Sequence, residues 1–191
     1  KDRGEASEQD CQAVEEVFSK LSACDIIIAD TPGNNTPLSE ALHMRADTLI
    51  TPLNDSFIDL DMLVRVSGDS SDVLRPSVYA EMVWEQRKKR ASLSRSSIDW
   101  IVLRNRLTMI NAHNKNEVYK VLQALSKRIG FRIGEGFCER VIFKELFLSG
   151  LTLLDLERTG YPLKLSHIAA RQELRSLIST IQTPRNLARA G

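Results

Sequence analysis

No stretch of this 191-residue chain holds the roughly 18 consecutive apolar residues that a bilayer crossing needs, so no segment reads as a membrane-spanning helix. Excess charge of one sign is missing too. Lys and Arg number 26 against 25 Asp and Glu, a net of +1, which excludes a polycationic tail but not a local basic patch. Cysteine is scarce. Cys11, Cys24 and Cys138 are odd in number and lack C-x-x-C spacing, so they read as reduced thiols of a cytoplasmic protein. His43, His113 and His167 show no metal-ligand spacing and read as surface histidines. There is no signal-peptide pattern, no internal repeat and no low-complexity block.

What is present centres on Asp25-Ile26-Ile27-Ile28-Ala29-Asp30-Thr31-Pro32-Gly33. Unbroken apolar residues suit a strand buried on both faces of a parallel sheet. The run ends at an acid, and open α/β sheets bind ligands at the carboxyl ends of their strands. An Asp there holds Mg²⁺ in nucleotide-hydrolysing folds, often through water. Gly33, without a Cβ, lets a backbone N–H approach a phosphate. The pattern reads as a Walker B strand and a phosphate-sensing loop. A buried strand ending in an N-cap Asp and a turn is the plainer alternative.

The rest of the chain alternates strands and helices. Residues 1–9 are polar and expected to be disordered. Val14, Val17, Phe18 and Leu21 have helical spacing. Thr36 reads as an N-cap with Pro37 in the first helical position, opening a helix to Arg45. Thr48–Leu53 and Ile98–Leu103 read as strands, with a short one at Phe131–Ile133. Helices are expected at Phe57–Val66, at Pro76–Ser92, at Asn114–Ile129, at Cys138–Phe147 and over 165–182, the last packing on the domain. The expectation is a single α/β domain, three-layer and doubly wound, with a mainly parallel sheet. The nine glycines nowhere form the G-x-x-x-x-G-K-[ST] loop that follows the first strand of P-loop proteins. That strand and loop are expected upstream of Lys1.

Several segments carry a resemblance. They are the Asp30–Gly33 loop; Ala46–Pro52 with Asn54–Phe57; Arg75–Glu81 with Val83–Glu85; Asp99–Arg106; Gly130–Arg132; Glu139–Phe147; and Gly150–Asp155. Together they resemble the MipZ family, division-plane positioning ATPases of the ParA/MinD group of deviant-Walker P-loop ATPases. The resemblance implies an ATP-dependent homodimer that parts after hydrolysis, binds nucleoid DNA nonspecifically, engages the partition protein ParB and restrains assembly of the tubulin-like division protein FtsZ. It implies a cytoplasmic, nucleoid-associated protein that uses ATP and Mg²⁺. Carried over residue by residue, Asp30 orients Mg²⁺, Gly33 lies beside the γ-phosphate, Asn105 hydrogen-bonds the adenine and Arg106 supports that site. Without the phosphate loop, the chain as it stands is expected not to hydrolyse ATP. A nonenzymatic adaptor with the same fold, binding DNA or protein without turnover, is the alternative.

Other residues have two readings each. Arg87–Arg90 is a DNA-binding patch or a solvated helix end. Arg128 and Arg132, with Arg104 and Arg106, could form a basic strip for DNA. Arg140, Lys144, Arg171 and Arg175 are further basic candidates. Tyr79 and Trp84 read as core, as do Phe143, Leu146, Phe147, Leu151, Leu153 and Leu154. Asp55 contacts the nucleotide or partner subunit, or caps a helix.

Overall fold

The computed structural model describes residues 3–54, 56–66, 73–94, 96–107, 112–156, 160 and 164–181. The chain forms two compact units, Lys1–Leu49 with Met62–Asp99, and Ile50–Asp61 with Trp100–Gly191. Length alone suggests one domain, but each unit is drawn from two separate stretches of sequence.

In the first unit, α1 (Arg3–Lys20) packs on α2 (Pro37–Arg45), and α2 packs on a later helix, α4 (Val78–Ser94). Helix α1 begins at Arg3, inside the stretch expected to be disordered. Helix α2 starts where Thr36 and Pro37 say it should. The Thr36 hydroxyl accepts from the Ser39 amide at 3.2 Å, and the Thr36 amide donates to the Ser39 hydroxyl at 2.9 Å, a complete capping box. Arg45 pairs with Glu15 at 2.9 Å and lies over the Phe18 ring.

Two expectations fail. The helix foreseen at Phe57–Val66 is helical only over α3 (Phe57–Leu60). Val64–Val66 is strand β2, paired antiparallel with β3 (Val73–Pro76). Leu60, Leu63 and Val64 fit a helical stripe, but β-branched Val64 and Val66 flank Arg65, and the pairing with β3 decides the outcome. Residues 67–72 and Asp55 lie outside the described residues. Pro76 closes β3, and Ser77 caps α4 by accepting from the Ala80 amide at 3.1 Å.

The second failure is the most apolar signal in the sequence. Residues 25–30 form no strand, and Ile26 and Ile28 are 62% and 91% exposed. Four apolar residues announce a preference for burial, but a strand also needs a neighbour to take its N–H and C=O groups. The sheet order is β1-β4-β5, and no hydrogen-bonded neighbour of 25–30 occurs among the described residues.

The second unit is built on that sheet of β1 (Thr48–Asn54), β4 (Asp99–Asn105) and β5 (Arg132–Gly134). The sheet is parallel and flanked by helices. Strands β4 and β5 pair Ile101 with Arg132 and Leu103 with Gly134. Trp100 to Arg104 are all buried, as expected of a central strand covered on both faces. The Trp100 indole donates to the Thr51 hydroxyl at 3.0 Å and its ring meets Phe131. Helix α5 (Ala112–Leu125) buries Val118, Leu122 and Leu125 and runs into a π-helical turn, Ser126–Gly130.

Helices α6 (Val141–Leu148) and α7 (Leu165–Thr180) share a core of Ile142, Leu146, Leu153, Leu156 and Ala170, with Phe143 and Leu151 partly buried against it. The apolar segment read as core is therefore split, because Phe147 is 81% exposed and Leu154 lies outside as well. The C-terminal helix is pinned through polar contacts. The Arg140 guanidinium meets Glu173 at 2.5 Å, the Cys138 amide donates to Glu173 at 3.2 Å, and Arg132 donates to the Thr180 carbonyl at 2.9 Å.

Burial pushes the Glu173 carboxyl up, but Arg140 and the Cys138 amide outweigh it and hold it below its ordinary 4.5. Such a carboxyl stabilises the fold above the unfolded value, and the contribution is lost as pH falls through the folded value. Glu173→Gln should therefore destabilise the protein at neutral pH. The difference from the parent should shrink as pH drops below about 4.5. Urea unfolding midpoints at neutral and acid pH check this; a constant difference would contradict it.

Candidate functional site

Each unit carries one part of the expected site. In the first, Asp30 and Gly33 lie on the exposed loop that leads into α2. The buried Ser39 hydroxyl donates to the Asn34 carbonyl at 2.9 Å, so the capping box of α2 also holds the end of this loop. A Cβ at Gly33 would meet nothing within 4 Å, and its φ is not left-handed. No packing within the described residues demands glycine there. Among the described residues no cluster of three His, Cys, Asp or Glu could hold a metal by itself. A single exposed carboxylate still fits Mg²⁺, which keeps most of its waters and takes one or two carboxylates plus substrate phosphates.

Arg90 of α4 organises the other end of α2. It donates through Nη1 to the carbonyls of Arg45 at 2.6 Å and Ala46 at 2.9 Å, pairs with Asp47 through Nη2, and donates through Nε to Ser96 at 3.0 Å. Arg90 is thus neither a DNA contact nor a solvated helix end; it caps a neighbouring helix. Lys88 pairs with Glu85 and lies 4.3 Å over Trp84. Trp84 is 52% exposed and not core. Tyr79 is half-buried, edge-on to His43.

Two of the three histidines, His43 and His167, are not on the surface either. His43 is buried between α2 and Tyr79, and burial holds its imidazole below the ordinary 6.5 against the attraction of Glu40. It is neutral at neutral pH. His167 is buried, and its Nδ1 accepts from the Lys164 amide at the start of α7. The side chain of His113 lies outside the described residues. Cys11 and Cys24 are exposed and Cys138 is half-buried; none of the three is bridged.

In the second unit, Asn105 is the half-buried last residue of β4, at the carboxyl edge of the sheet. The backbone there is irregular. The Phe137 amide donates to the Arg104 carbonyl at 2.9 Å, and the Phe137 carbonyl accepts from the Leu107 amide at 2.9 Å. A regular parallel ladder places one residue between those two partners. Here Asn105 and Arg106 both stand between them, a bulge. Arg106 is the one non-glycine residue with positive φ among the described residues, at 52°. Such a residue costs about 1–2 kcal/mol and clusters at functional sites. The chain segment that creates this geometry, Glu135–Cys138, carries no motif in the sequence.

The basic residues separate. Arg104 is only 7% exposed and lies 5.3 Å over the Tyr119 ring, so it does not join a surface strip for DNA. Arg106, Arg128 and Arg132 are exposed. Arg132 lines an open cavity with Tyr119, Lys127 and Phe131. Arg140 is engaged with Glu173, and Lys144 pairs with Glu139.

A parallel α/β sheet flanked by helices, with its irregular strand end at the carboxyl edge, belongs to the P-loop NTPase-like class. The family model for ATPase MipZ matches residues 2–185, and the chain belongs to that family. No curated protein matches the chain. At the family level this makes it a nucleotide-binding ATPase concerned with division-site positioning. Among the described residues no helix is long and apolar enough to cross a membrane.

Proposed function

We propose that the chain forms part of an ATP-dependent dimerisation switch that positions the division plane, coupling the partition protein ParB to restraint of FtsZ assembly. The family match over residues 2–185 carries this reading. Asn105 at the carboxyl edge of the sheet supports it, since an amide offers both a donor and an acceptor to a base edge. Asp30 would hold Mg²⁺, which would supply charge neutralisation at the transferred phosphoryl group. Gly33 lies beside the terminal phosphate, and Arg106 supports the base site. The switch works in the cytoplasm on the nucleoid, where dimers bind DNA nonspecifically.

In the full-length protein, Asn105→Ala should lower the preference for ATP over GTP roughly tenfold, the worth of one lost hydrogen bond. Competition binding of the two triphosphates measures it. An unaltered preference would remove Asn105 from the base site.

Arg128, Arg132 and Arg106 are the DNA-facing set. Replacing Arg128 and Arg132 with Gln should weaken DNA binding and flatten the log–log salt slope by up to about 1.8. Because Arg132 also caps α7 at Thr180, circular dichroism of the variant accompanies the measurement. Superimposable salt titrations would acquit both residues.

A further inference from the structure

A second chain segment lies unusually close to the bulge at the end of β4. Gly136 has no left-handed φ, so its conformation does not call for glycine. Its surroundings do. A Cβ there would stand 2.6 Å from the Arg104 carbonyl oxygen, 2.7 Å from Leu107 Cδ1 and 2.8 Å from Arg104 Cβ. Two of these three atoms belong to the residue before Asn105, and one of them is backbone, which cannot swing aside. The neighbouring Phe137 makes both hydrogen bonds that bracket Asn105 and Arg106. Moving residue 136 outward by even a few tenths of an ångström therefore moves the bracket. Gly134 differs, since its added Cβ would crowd side-chain atoms of Ile101 and Leu103, at 3.1 Å each, and would meet backbone only at the Val102 carbonyl oxygen, at an ordinary 3.8 Å.

We propose that Gly136 is a positioning residue for base recognition: its missing side chain lets Phe137 grip β4 on both sides of Asn105 and present that residue at one fixed place. The inference rests on the reading of Asn105 as the base contact. It adds a residue that touches neither base nor phosphate and acts through the backbone of Arg104.

The test uses the full-length protein with Mg·ATP and Mg·GTP as probes and reads the ratio of their dissociation constants. Gly136→Ala should reduce the preference for ATP at least fivefold. In the Asn105→Ala background the same change should reduce it no further, because the path to the base runs through Asn105. Gly134→Ala should lower thermal stability and leave the ratio alone. An unchanged ratio in Gly136→Ala, or effects that multiply in the double variant, would overturn the positioning role while leaving the base site standing. A silent Asn105→Ala would bring down the base-site reading and the positioning role together. If Gly136→Ala does not fold, amide exchange in the unsubstituted protein decides. The Leu107 and Phe137 amides should exchange at least fivefold more slowly with Mg·ATP than with Mg·GTP, and equal protection would refute the proposal.

Discussion

Replacing Asp30 with alanine should abolish Mg-dependent ATP hydrolysis by the full-length protein and leave its melting temperature where it was. The two halves of that result have separate causes. Asp30 is exposed and makes no hydrogen bond or ion pair among the described residues, so removing its carboxylate disturbs no packing. Turnover depends on charge stabilisation at the transferred phosphoryl group, and losing one such element costs on the order of 100-fold or more. Asp30→Asn, which keeps the shape and loses the charge, should fall as far. Hydrolysis within about twofold of the parent would take Asp30 out of the site. A drop in turnover matched by a drop in melting temperature would make it a structural residue instead. Absence of turnover in the full-length parent itself would favour the adaptor reading.

Arg90→Ala should cost about 2–3 kcal/mol of stability, although the residue sits in a run of four basic side chains. Its side chain is only 15% exposed, and two carbonyls at the end of α2 lose a charged donor together with the Asp47 pair. The planar guanidinium serves Nη1, Nη2 and Nε partners at once, a geometry that a lysine ammonium cannot copy. Arg90→Lys should recover less than half of the loss. Lys89→Ala, on an exposed neighbour, should change stability by less than about 0.5 kcal/mol. Urea unfolding midpoints of the three variants are the measurement. Equal midpoints for Arg90→Ala and Lys89→Ala would contradict the capping role.

What the sequence made legible was local. Thr36 and Pro37 specify a helix start through their own side chains and ring, and the helix starts there. Residues 100–103 are apolar enough to define a central strand without knowledge of its neighbours. Where the outcome depended on a distant partner, the reading failed. Ile26 to Ile28 advertise burial but not the strand that would pair with them. Leu60, Leu63 and Val64 fit a helix until Val73–Pro76 arrives to pair with β2. Arg90 looks like one cation among four because its carbonyl partners lie more than forty positions upstream. His43 and His167 carry no local sign of burial, since the helices that cover them are set by tertiary packing.

The candidate site divides along the same line. Asp30 and Gly33 are candidates from type, order and resemblance, and Asn105 from the resemblance. The bulge that sets Asn105, and the glycine that permits it, come from a segment thirty residues on. A glycine among nine gives no hint that its value lies in contact with Arg104 and not in its torsion angles.

The double tether of α2 has a mechanical meaning. Nine residues of helix make a rod of roughly 13 Å, with the Arg90 clamp at one end and the Ser39–Asn34 tie at the other. Rods of this length transmit translation with little loss, because their internal hydrogen bonds resist stretching. Helix α2 is thereby fixed to α4 at one end and to the Asn34 carbonyl, one residue from Gly33, at the other.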